Sequence, residues 1–206
     1  MSRPAEKRKA AWERMMKQSI FEATVKVMKE YGPAEIRMDQ VAKAADMATG
    51  TLYNYFKDKD ALLLHVIDTL FEPYHAGLLA ILNSDADPQE KLKAYFRQTC
   101  RIMNEQRDII AILIQAKDLG ISADIGRDPE TDYRMRIIPI IAGIIEEGVA
   151  KGAFRRCDAL ETAAMVFGAM DGLMTLKIKG LVPERTVNEN AEGSMALLLP
   201  GLRAAS

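Results

Sequence analysis

At 206 residues, with 49% hydrophobic and 28% charged residues, the chain has ordinary globular composition, which excludes a disordered polymer and leaves enough apolar material for a core. Its two cysteines, Cys100 and Cys157, lie far apart without metal-like spacing, so neither a disulfide framework nor a zinc knuckle is expected. The net charge of −1 excludes a bulk nucleic-acid coat, yet residues 1–17 carry six cations against two carboxylates, +4 in all, leaving −5 to the remainder.

The basic leader, MSRPAEKRKAAWERMMK, is not followed by an apolar stretch that could serve as a signal-peptide core, and no run of eighteen apolar residues follows anywhere. A soluble, cytoplasmic chain is expected. Nearly every later segment has helical periodicity and none alternates as a strand, which predicts an all-α fold of about nine helices. Breakers divide them at Gly32-Pro33, Asp46, Lys57-Asp58-Lys59, Asn83 to Pro88, Gly120 to Pro129, Lys151-Gly152 and Gly180 to Pro183.

The first helix, roughly Ala10 to Tyr31, places Ile20, Ala23, Thr24, Val27 and Met28 on one stripe, and Gly32 suits its C-terminal stop. Two short helices follow, Met38 to Ala45 and Thr49 to Phe56, joined by Asp46-Met47-Ala48. Neither can stand alone, so Val41, Ala42, Ala45, Met47, Leu52 and Phe56 must pack on the first helix. Two short helices across a tight turn make a helix-turn-helix, whose second helix can enter the major groove of DNA. The turn needs a residue that tolerates positive φ, and Asp46 stands there.

The stretch MDQVAKAADMATGTLYNYFKDKDALL strongly resembles the DNA-binding domain of TetR-family repressors, through Ala42, Ala45, Met47, the run Gly50-Thr51-Leu52-Tyr53, Tyr55-Phe56, Lys59 and Leu62-Leu63. The resemblance covers about residues 15–66 and implies a homodimeric transcription regulator that binds palindromic operator DNA and is released from it by a small, largely apolar effector. Leu52 and Phe56, four apart, should face inward; Gly50, the hydroxyls of Thr51 and Tyr53 and the ammonium of Lys59 suit phosphate, with Gly50 allowing close backbone approach to an anion. Base reading would fall to Arg37, Thr49, Asn54 or Tyr55.

Three residues depart from the family pattern. Arg37 stands where a capping serine or threonine is usual, Asp46 replaces the turn glycine, and Ala48 replaces the serine that caps the recognition helix, so Thr49 is expected to cap instead and start that helix one residue later. The DNA-binding domain is expected over residues 1–57, with Arg3, Lys7, Arg8 and Lys9 as a basic arm able to reach the minor groove.

Residues 58–206 are expected to form a helical ligand-binding and dimerisation domain. Helix starts are marked by Asp87-Pro88-Gln89-Glu90, with Glu90 able to reach back to the cap, by Asp158 with Glu161, and by Asp128-Pro129. The stretch from Glu146 to Arg155 resembles the family's junction between its seventh and eighth helices. The resemblance implies a dimer interface built by the last two long helices, with Ala163, Ala164, Gly168 and Gly172 allowing close approach and Leu197, Leu198 and Leu199 joining it.

An internal effector pocket, also implied by the resemblance, would draw on Phe71, Tyr74, His75, Phe96, Cys100, Met103, Ile110, Met135, Ile138 and Met165, each of which also serves as ordinary core. Pro139, inside a helix, would kink it and give the pocket room. His65 and His75 are ten apart, not the i, i+4 of a helical metal pair, and no glycine-rich phosphate loop or nucleophile elbow occurs; no cofactor, metal site or catalysis is expected. The alternative is a helical small-molecule-binding or interaction protein that has lost operator recognition, to which Arg37 and Ala48 lend their weak caps.

Overall fold

The computed structural model describes residues 3–119, 133–183 and 185–203. Among them are nine helices: α1 (Arg3–Tyr31), α2 (Met38–Ala44), α3 (Thr49–Tyr53), α4 (Lys59–Leu82), α5 (Pro88–Glu105), α6 (Arg107–Asp118), α7 (Tyr133–Ala150), α8 (Ala159–Ile178) and α9 (Val187–Leu198). No strand occurs among the described residues; an isolated antiparallel bridge joins Phe154 and Arg203. The Asp128-Pro129 helix start lies outside the described residues.

Packing divides the chain into two units. Residues up to Thr69 join those of α6 from Ile112 onward; Leu70–Ala111 joins the described residues from Tyr133 on. In the first unit, Ile20, Ala23, Val27 and Met28 of α1 meet Val41 and Ala42 of α2, Leu52 of α3, Phe56, and Leu62 and Leu63 of α4 in one core, with Ile36 and Met38 closing it. Thr24 is buried in the same stripe without penalty, because its hydroxyl donates to Ile20 O at 2.7 Å.

The ends of these helices follow one device. At the end of α7, Gly152 takes φ +70° while Ala153 N donates to Gly148 O and Gly152 N to Val149 O; at the end of α8, Gly180 takes φ +71° while Leu181 N donates to Leu176 O and Gly180 N to Lys177 O. Both are Schellman caps, which need a left-handed residue just past the helix. Gly32, with φ +80°, stops α1 and donates to Met28 O.

At the starts, Asp87 accepts from Gln89 N and Glu90 N with Pro88 at the first helical position, and Asp158 accepts from Glu161 N. Glu90 does not return to its cap; its carboxylate is engaged by Lys93, one turn ahead. A complete capping box instead opens α9, where Thr186 Oγ1 accepts from Glu189 N and Glu189 accepts from Thr186 N. The N–H of Thr186, followed by its hydroxyl, holds the Glu189 carboxyl below the usual carboxylate range.

Two buried lysines tie the second unit. Lys91 Nζ donates to Leu82 O at 2.8 Å and pairs with Glu147 at 2.6 Å, linking α4, α5 and α7; Lys177 Nζ donates to Pro183 O and Asn190 Oδ1, linking α8 to α9. Lys151 and then Lys91 keep the Glu147 carboxyl below its ordinary pKa. Helix α7 continues through Pro139 and α4 through Pro73, both prolines exposed; each deletes one helical N–H donor.

Helix α8 is long and apolar enough, by length and composition, to cross a membrane. Its composition has another reason. Ala163, Val166, Phe167, Met170 and Met174 are buried on one side, while Met165 and Leu176 stand exposed on the opposite side of the same helix, giving it two apolar faces.

Candidate nucleic-acid interface

The recognition segment is assembled around Asp46. Its φ is +53°, the one positive φ outside glycine among the described residues. Met47 N donates to Ala42 O and Asp46 N to Lys43 O, the same pair of bonds that Gly152 and Gly180 organise elsewhere. Aspartate thus occupies a glycine position in a third Schellman cap, and Met47, just beyond it, packs partly into the core. This sets the angle at which α3 leaves α2.

The caps on either side are half-made. Arg37 precedes α2 in extended conformation, φ −130° and ψ 148°, and guanidinium has no acceptor, so it cannot cap. Gln40 Oε1 instead accepts from Arg37 N at 3.0 Å, which supplies the returning half of a capping box. The Arg37 side chain lies in solvent against Asp39, Nε to Oδ1 3.3 Å. An exposed pair of that kind is worth about 0–1 kcal/mol, so exchanging Asp39 for a phosphate costs little.

Thr49 does not become the cap. Ala48 takes the N-cap position with extended backbone, φ −69° and ψ 143°, and its carbonyl accepts from Thr51 N and Leu52 N; α3 therefore begins at Thr49 without a side-chain cap. The helix is also shorter than expected. It ends at Tyr53, and Asn54 and Tyr55 form a turn that delivers Phe56 to the core.

Leu52 and Phe56 are buried, as their spacing requires. Gly50, Tyr53 and Asn54 are exposed, Thr49 and Thr51 half-exposed, and a Cβ built on Gly50 would meet no atom within 4 Å, so α3 presents an open surface. Tyr55 is the exception among the proposed base contacts, because part of its ring packs against the core. Asp39, Asp46 and Lys43 line a shallow groove with Met47, Ala48 and Thr49, two carboxylates against one ammonium, and further cations lie outside it at Arg37, Lys57 and Lys59.

Two residues of this unit have roles that the sequence does not announce. Asp58, in sequence only part of a breaker, caps α4: its Oδ1 accepts from Ala61 N at 2.8 Å and fixes Lys59 at the first helical position. His65, in sequence only a histidine without a metal partner, has Nε2 3.2 Å from Lys17 O and Nδ1 3.4 Å from Thr69 Oγ1, and its ring stacks on Phe56 at 4.9 Å. A carbonyl only accepts, so Nε2 carries the proton. His65 thereby joins α1, α4 and the residue that ends the recognition segment.

In the second unit, Phe71, Tyr74, Phe96, Cys100 and Ile110 are buried, and His75, Met103 and Ile138 half-buried. Met135 and Met165 stand apart from them, 54% and 64% exposed. Tyr74 Oη lies 2.7 Å from Thr99 Oγ1, which itself donates to Tyr95 O at 2.9 Å; the threonine proton is spent, so Tyr74 donates. Burial pushes the Tyr74 phenol up, and it pushes the Cys100 thiol up to about 11 against the opposing charge of Lys177. Among the described residues no group of three or more His, Cys, Asp or Glu is placed to hold a metal.

A short helix-turn-helix closed on its own core and continued into a larger helical unit defines a DNA-binding transcription regulator. Residues 20–66 match the family model of bacterial regulatory proteins, tetR family. The fatty acid metabolism regulator protein of Bacillus subtilis is 24% identical over 157 residues, 76% of this chain and 80% of that protein. Among solved structures, the fatty acid degradation regulator FadR of Bacillus halodurans superposes with a TM-score of 0.73 at 24% identity, covering 90% of this chain and 99% of that one. FadR of Bacillus subtilis, solved with stearoyl-CoA, gives the same TM-score and coverage at 21% identity. Residues 20–66 are thus similar to the DNA-binding domain of tetR-family transcriptional regulators.

Proposed function

We infer that the protein is a cytoplasmic, homodimeric repressor released from a palindromic operator by a small, largely apolar effector. The observation that carries this is the open α3 surface held by a Schellman turn, with Arg37 and Lys59 at its two flanks. Residues 1–57 supply the DNA-binding domain, in which Thr49, Asn54 and Arg37 read bases, with Tyr55 contributing only its exposed edge; Gly50, Thr51 and Tyr53, together with Lys59 just past the domain boundary, hold phosphates. Residues 58–206 supply effector binding and dimerisation.

The second apolar face of α8, with Met165 and Leu176, and the exposed Leu197 of α9 suit an isologous contact with a second copy. Gly168 and Gly172 have open space where a Cβ would stand, which allows a close helix crossing. Effector binding falls to Phe71, Tyr74, His75, Phe96, Cys100, Met103, Ile110 and Ile138, with Met135 and Met165 outside this interior. The fatty acid regulators among its relatives make a long-chain acyl thioester the first effector to test. An effector that binds the DNA-incompetent arrangement more tightly shifts the population away from the operator.

The test is a preformed complex of the full-length protein with duplex from its own upstream region. Long-chain acyl-CoA should dissociate it, and coenzyme A alone should not. Retention of the complex under every acyl chain length would remove this effector class.

A further inference from the structure

The basic leader is not an extended arm. Helix α1 runs unbroken from Arg3 to Tyr31, and while its second half builds the core of the first unit, every residue from Glu6 to Met15 is exposed. The helix therefore carries a rod that its own unit does not cover.

The charges on the rod are sorted. Lys7, Arg14 and Lys17 recur at i, i+7 and i+10, which on a helix of 3.6 residues per turn places them within about 80° of one another. Together with Ala10 and Glu13 they line one shallow groove, while Glu13 reaches sideways to Lys9 at 3.9 Å. The stripe is about 15 Å long, at 1.5 Å rise per residue, the axial length of roughly four base pairs.

Its near end sits at the recognition segment. Lys17 O accepts from His65 Nε2, and the His65 ring stacks on Phe56, three residues before Lys59. The cations of α1 therefore belong to the same packed unit as Lys57 and Lys59. A helix about 10–12 Å across does not enter a minor groove about 6 Å wide, and with α3 taking the major groove the rod is left the backbone.

We propose that the Lys7, Arg14 and Lys17 face of α1 docks on the phosphate backbone of duplex DNA beside the site that α3 reads. The proposal rests on the first unit being a DNA-binding domain. An anionic membrane is the poorer occupant: Trp12, Met15 and Met16 share the side opposite Arg14, but Arg8 falls between Trp12 and Met15 and interrupts the apolar side.

The experiment compares the full-length protein with a Lys7→Ala, Arg14→Ala, Lys17→Ala variant on an upstream-region duplex and on a random duplex of equal length, across a salt series. The variant should weaken on both duplexes by the same factor, with the salt slope falling by about 1 to 3 per protomer, roughly 0.9 for each phosphate that is no longer neutralised. A Lys7→Arg, Lys17→Arg variant should keep the slope, and thermal unfolding checks that both variants are folded. An unchanged slope in the alanine variant overturns the proposal.

Trp12, the chain's single tryptophan, reports the competing partner. A blue shift on phosphatidylserine vesicles, lost in the alanine variant and accompanied by no change in DNA slope, assigns the stripe to membranes instead. If the unaltered protein fails to prefer its upstream duplex, operator reading fails, but the slope on random DNA still decides the role of α1.

Discussion

At the scale of single residues, the departures from the family pattern have definite physical outcomes. Asp46 adopts the same left-handed turn as Gly152 and Gly180 with the same two hydrogen bonds, so it keeps the geometry and accepts some strain. Asp46→Gly should raise stability by up to about 1 kcal/mol in denaturant titration, whereas Asp46→Val should lower it and weaken DNA binding. Lys59→Ala should weaken binding to all duplexes and flatten the salt dependence, while Asn54→Ala should change base preference by about 1–3 kcal/mol; equal effects of both on every duplex would contradict the division between phosphate and base contacts. Cys100 is buried with its thiol pushed up to about 11, so it stays protonated and unreactive through pH 9. Of the two cysteines, only the half-buried Cys157 should react promptly with a thiol reagent in the native protein.

At the scale of elements, packing decides what spelling leaves open. Gly148 is required by contact: a Cβ there would lie 2.0 Å from the ring of Phe154, which is buried at the α7–α8 junction. Gly148→Ala should therefore cost about 1–3 kcal/mol by overpacking, measured in denaturant titration against Gly50→Ala, where a Cβ meets nothing. Caps are legible where the local spelling has no competitor, as at Asp87 and Asp158. Glu90 departs from its spelling because Lys93 lies within one turn and outcompetes a backbone N–H that solvent can serve. Thr186 and Glu189 spell a capping box in full, but it is masked by the Gly180 to Pro183 breaker just before it. Asp58 is hidden in the same way inside a charged cluster. The full length of α1 is not legible because residues 3–9 have helix-forming composition but no apolar stripe, and periodicity registers only a face that is buried.

At the scale of the whole molecule, the DNA-binding unit is legible because its core positions and turn are local in sequence, all within about forty residues from Ile20. The interior of the second unit is not, since Met135 and Met165 have the same apolar character as Phe96 and only the packing of distant helices decides which of them faces inward. The exposed apolar face of α8 follows the same rule, being core-like in sequence and surface in the single chain. Whether the open surface of α3 reads a particular operator comes down to one ratio. Fluorescence anisotropy at physiological salt would give the dissociation constant for the upstream duplex and for a shuffled duplex of identical length and composition. Tighter binding to the upstream duplex by about a thousandfold or more is the predicted result; equal affinity for the two would contradict it.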